Sequence, residues 1–141
     1  MLRKIMLIFL LLLCVTTAQA FDRNKVNLDN FWGSWSVFNP KTTCTESFQF
    51  VQPGKFSYQA QAKQLVGEFA LIRTTGNEKL DHLLLEIYED NVLVGCEEQA
   101  SNYKGQKSGF YLKLISLISA ELCADPDGKN CTGLFLNRKE N

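Results

Sequence analysis

Five carboxylates, Glu86, Glu89, Asp90, Glu97 and Glu98, crowd one short stretch of this chain. Paired carboxylates are the minimum equipment for glycoside hydrolysis, one serving as acid and the other as base or nucleophile. Clusters of this kind at strand ends are usually solvated. The only histidine is His82, and no G-x-S-x-G is present. With no cysteine expected to stay free, the Ser–His and Cys–His constellations that activate nucleophiles are missing. The chain is therefore expected to be non-catalytic.

Metal chemistry finds equally little. No C-x-x-C occurs, and His82 has no second histidine to help hold a metal, so the signal for zinc is weak. Asp125-Pro126-Asp127-Gly128-Lys129-Asn130 resembles part of a calcium loop, but a working loop needs a bidentate glutamate near its end and no glutamate falls there. A tight turn is the simpler expectation, and neither metal nor cofactor is expected. Asn130-Cys131-Thr132 formally matches a glycosylation acceptor.

The cysteines speak instead for a compartment. Arg3 and Lys4 precede an apolar run from Ile5 to Val15, and Ala18-Gln19-Ala20 supplies small residues at the −3 and −1 positions. This is the pattern of a secretory signal peptide over 1–20, too short for a spanning helix. Cys14 lies inside the run, and Leu13 before it does not suit a lipidation site. The expected product is a single domain over 21–141, secreted, into a bacterial periplasm. Four cysteines remain there: Cys44, Cys96, Cys123 and Cys131. Three pairings are possible for two disulfides in an oxidising compartment. The economical one joins Cys123 to Cys131 across a turn-rich segment and Cys44 to Cys96. Loop entropy then assigns about 2.5 kcal/mol to the short bridge and about 4 kcal/mol to the long one.

Without Arg3 and Lys4 the chain carries 13 basic and 15 acidic side chains, a net charge of −2. It has no basic stripe, so neither nucleic acid nor an anionic membrane surface is an expected partner. No membrane span is expected in the mature chain.

The rest reads as strands between turn residues. A helical turn at Leu28–Trp32 is expected before Gly33. Strands follow at Ser34–Phe38 and Glu46–Val51, and a type II turn at Gln52-Pro53-Gly54-Lys55 leads into a third. There Phe56, Tyr58, Ala60 and Ala62 alternate with Ser57, Gln59, Gln61 and Lys63. Leu65–Thr74 carries Gly67 as a bend or bulge, with Thr75-Gly76-Asn77 as its closing turn. Leu83–Tyr88 and Val92–Glu98 come next, then a polar loop at Gln99–Gly109. Phe110–Ser119 alternates as a strand, although Leu112, Ile115, Ile118 and Leu122 would also line a helix. Thr132–Lys139 closes the chain. Eight short strands predict an all-β, antiparallel up-and-down barrel or flattened barrel with two disulfides.

Gly33-Ser34-Trp35, opening the first strand, together with Arg138 in the last, resembles the lipocalin and calycin signature. The resemblance implies a barrel sealed at one end by Trp35, with the Arg138 guanidinium stacked on its indole. It also implies a binding protein for one small apolar ligand. Phe48, Phe50, Phe56, Tyr58, Phe69 and Leu71 can line such a cavity, or equally fill the barrel solidly. Ser108-Gly109-Phe110-Tyr111 is loosely similar to the S-G-x-x-Y motif of secreted bacterial inhibitors of lysozyme, with the tyrosine one residue early. That similarity implies a protein-binding module for an extracytoplasmic partner such as a cell-wall hydrolase. Tyr103, Lys104, Lys107 and Ser108 would form its loop, Tyr103 as an aromatic anchor and the lysines facing an acidic cleft.

Overall fold

A computed structural model describes residues 21–23, 31–75 and 79–140. The expected signal peptide lies outside these residues, as do most of the helical turn before Gly33 and the Gly76-Asn77 turn. The described residues form eight strands: β1 (Gly33–Asn39), β2 (Cys44–Val51), β3 (Lys55–Ala60), β4 (Lys63–Ile72), β5 (Asp81–Asp90), β6 (Lys107–Ser116), β7 (Ser119–Cys123) and β8 (Cys131–Arg138). Each pairs antiparallel with its neighbours, and β8 returns to β1, closing the barrel. Closure leaves no strand edge unpaired around the sheet.

Strand alternation decides what points inward. The cross-strand row Arg138, Trp35, Phe48, Tyr58 and Leu65 runs from β8 through β1 to β4 on the inner face. A second inner row joins Phe50, Phe56, Gly67 and Ile87. Gly67 sits at a register shift, the expected bulge. A Cβ there would stand 2.0 Å from the Glu86 carbonyl oxygen and 2.8 Å from the Phe56 ring, so only glycine fits.

Both expected disulfides are present, Cys44–Cys96 and Cys123–Cys131. No α-helix occurs among the described residues, and none long and apolar enough to cross a membrane.

Five local expectations need correction. Val92–Glu98 is not a strand. Val92 adopts φ 57°, its amide is captured by the Asp90 carboxylate at 2.7 Å, and Cys96 is drawn across to β2 by its disulfide. The missing strand comes from the segment expected as one, Phe110–Ser119, which breaks into β6 and β7 at Leu117-Ile118. Ser116 Oγ accepts the Ile118 amide at 3.2 Å and turns the chain. The loop expected at Gln99–Gly109 accordingly ends early, because 107–109 already belong to β6. The β2–β3 turn is also shifted by one residue. Gly54 donates to the Val51 carbonyl at 3.0 Å and the Gln52–Pro53 peptide is cis, a type VI arrangement rather than type II. Finally, Gln61 at φ 51° ends β3, so Ala62 falls in the turn and Lys63 starts β4 facing inward, although it was expected on the polar side.

Candidate functional site

An up-and-down barrel places alternate connections at opposite ends, and here the two ends differ in construction. The end at which β1 begins and β8 finishes is sealed. Trp35 is 2% exposed, and its indole N–H donates to the Phe31 carbonyl at 2.7 Å. Phe31 stacks on Trp35 with ring centroids 4.8 Å apart and packs on Phe50 at 5.0 Å. Phe69 meets Phe50 edge-on at 4.8 Å. Arg138 lies over the Trp35 ring at 5.5 Å and donates to the Trp32 carbonyl. Its guanidinium reaches that position because residue 33 is glycine. Gly33 holds φ 126°, and a Cβ would lie 3.0 Å from Arg138 Nη2.

The other end is covered by the β5–β6 connection, residues 91–106. Its anchor is Lys63, 1% exposed, paired at 3.2 Å with Asp90, whose side chain is wholly buried. Lys63 also donates to the carbonyls of Ser101 at 2.6 Å and Leu93 at 3.3 Å, and sits 4.8 Å from the centre of the Tyr103 ring. Asp90 in turn accepts the amides of Val92 and Tyr103, each at 2.7 Å. Burial opposes its charge, yet those two amides and Lys63 outweigh burial and hold the carboxyl below the ordinary aspartate value. The Cys44–Cys96 bridge ties the same connection to the start of β2.

Beneath it lies a cavity of about 220 Å³. Phe50 and Phe56 form its floor, over the aromatic seal. Phe48, Leu85, Ile87, Phe110 and Leu122 supply apolar wall, while Glu46, Tyr58, Glu97, Tyr103, Gln106 and Ser108 supply the polar lining. Each tyrosine is committed to a carboxylate: Tyr58 donates to Glu46 at 2.7 Å, and Tyr103 donates to Glu97. Burial first, then the Glu46 hydrogen bond, raises the Tyr58 phenol above its ordinary value. The Glu97 hydrogen bond is the leading cause of the same shift at Tyr103. Both phenols therefore stay protonated donors at neutral pH.

Of the residues expected to line a ligand cavity, Phe48, Phe50, Phe56 and Tyr58 do so. Phe69 and Leu71 are outside the lining and pack against the core. The loop residues separate. Tyr103 turns inward over Lys63, Lys104 is exposed, Lys107 pairs with Glu86 at 3.3 Å, and Ser108 lies in β6 at the cavity's edge. Glu46, Gln106, Phe110 and Leu122 were not anticipated. For Glu46 the signal was available, since it shares the parity of Phe48 and Phe50. The five carboxylates of 86–98 do not gather: Asp90 is buried with Lys63, Glu86 faces Lys107, and Glu97 alone of them lines the cavity.

The Asp125 loop is a turn. Its carboxylate accepts the amides of Asp127, Lys129 and Asn130 at 3.0, 3.1 and 2.6 Å, and those bonds hold it below the ordinary aspartate value. Glu121 lies beside Cys123 and Cys131, but both sulfurs are consumed in their disulfide.

Protein-family models, curated proteins and solved structures give no match to this chain.

Proposed function

We propose that this chain is a non-catalytic binding protein of lipocalin-like type that holds one small, largely apolar molecule inside its barrel. The observation that carries the reading is the 220 Å³ cavity, sealed below by aromatic rings and walled by Phe48, Leu85, Ile87, Phe110 and Leu122. An apolar cavity of about 150 Å³ suffices for benzene, so this one suits a ligand of about nine or ten non-hydrogen atoms. The Gly33, Trp35 and Arg138 arrangement supports the lipocalin-like description. Two disulfides fit an oxidising compartment. Together with the signal-like pattern in 1–20, they support secretion, into a bacterial periplasm. The alternative, a module that inhibits a cell-wall hydrolase through Tyr103, Lys104, Lys107 and Ser108, has less support. Tyr103 and Ser108 face the cavity, and Glu86 engages Lys107.

Calorimetric titration with indole tests the reading. Saturable one-to-one binding is expected, with Kd on the order of 0.1–1 mM for a ligand of this size. Leu85→Trp, which fills the cavity from its wall, should abolish it. Failure of indole to bind, or unchanged binding by the filled variant, would overturn the proposal.

A further inference from the structure

The cavity is apolar in its walls but not neutral in its charge. Its only charged lining residues are Glu46 and Glu97, and no lysine or arginine lines it among the described residues. The nearest buried cation, Lys63, is neutralised by Asp90 and held by two backbone carbonyls. Tyr58 and Tyr103 each donate their one O–H to a glutamate, so neither phenol offers a donor to a ligand. What these groups present to the interior is carboxylate and phenol oxygen, beside Phe48 and Phe110. Glu46 is half-buried against the apolar wall and Glu97 is exposed at the rim. Beside a low-dielectric wall a carboxylate attracts an opposite charge more strongly than in water and repels a like one.

Resting on the binding reading above, we infer that the cavity selects small amphiphilic amines, with an aryl or alkyl body against Phe48, Phe110 and Leu122 and an ammonium group at Glu46 and Glu97. Carboxylate-headed molecules of the same body are excluded by like charge. The amine supplies what the site lacks, a cation with several N–H donors, and the glutamates keep their phenol hydrogen bonds while accepting them. The apolar body supplies affinity, and the head supplies choice.

Three probes of nearly equal size test this: phenethylamine, phenethyl alcohol and phenylacetate, titrated into the disulfide-bonded protein at neutral pH. The amine should bind at least about tenfold tighter than the alcohol, and phenylacetate should bind weakest. In the doubly substituted Glu46→Gln/Glu97→Gln protein the amine-to-alcohol affinity ratio should fall to within about threefold of unity, a readout that a general loss of packing would not produce. Equal binding of amine and alcohol by the wild type overturns the amine preference and leaves the cavity reading standing. Tighter binding of phenylacetate than of the amine overturns it as well. Binding of none of the three overturns both.

Discussion

The two ends of this barrel are closed by opposite means. At one, Phe31, Trp35, Phe50 and Phe69 fill the interior, and Arg138 covers the indole through the gap left by Gly33. At the other, a long connection is stretched over a cavity and held by a disulfide and one buried ion pair. The first arrangement is apolar packing with a cation laid over it, flanked by the buried Asp81 carboxylate paired with Arg23 at 3.4 Å and Arg73 at 3.5 Å. The second spends polar groups on fixing a cover while leaving space beneath. At the seal the polar contacts flank a filled aromatic interior, whereas a cover stretched over a cavity must itself be pinned at particular atoms. Lys63, with its carboxylate, two carbonyls and an aromatic ring, is that pin.

The cover depends most on Lys63. Lys63→Met should cost about 3–5 kcal/mol, because it leaves the Asp90 carboxylate buried without its cation. Chemical denaturation measures it. Acid should act on the same pair. Asp90 is depressed in the folded state, so its contribution is complete above the ordinary value of 3.8 and is lost as pH falls below that through the folded value. Stability followed between pH 5 and pH 2 should show an acid-labile component that is smaller in Lys63→Met, where the Val92 and Tyr103 amides alone still hold the carboxylate.

Replacing Cys44 and Cys96 together by alanine should cost about 2–4 kcal/mol. Hydrogen exchange should then rise in residues 91–106 and not around Trp35, since only the cover loses its tether.

At the bulge between β4 and β5, Gly67→Ala should cost about 1–3 kcal/mol, because the added carbon meets the Glu86 backbone and the Phe56 ring. The smallest effect belongs to the seal. Arg138→Ala removes a guanidinium from an indole and a hydrogen bond from the Trp32 carbonyl, about 1–2 kcal/mol in all, read as a lower unfolding midpoint.

The sealed end was far more legible in the sequence than the covered one. Gly33, Trp35 and Arg138 lie in strands with regular alternation, and the partners Phe48, Phe50 and Phe56 share one parity. The disulfide pairing followed from cysteine spacing and turn content. The cover obeys no period. Val92, Leu93 and Val94 imitate a strand by composition, yet all three are exposed, and Asp90 and Asn91 capture the following amides with their side chains. Lys63 and Asp90 are far apart in the chain, and nothing local marks either as buried. At Phe110–Ser119 the alternation runs on into the next strand, so only the serine that bends the backbone betrays the hairpin. Local pattern thus reports strands and their faces. It does not report long-range polar contacts, which here shape the mouth of the cavity.

In the proposed binding mode a ligand enters beneath the cover and stops at the aromatic floor. Nuclear Overhauser contacts from bound indole to assigned methyl and ring protons test it directly. Contacts to Ile87, Leu122 and Phe110 are predicted, with none to the exposed Leu117 and Ile118 of the β6–β7 turn. Contacts confined to Leu117 and Ile118, or to the outer face of the barrel, would contradict it.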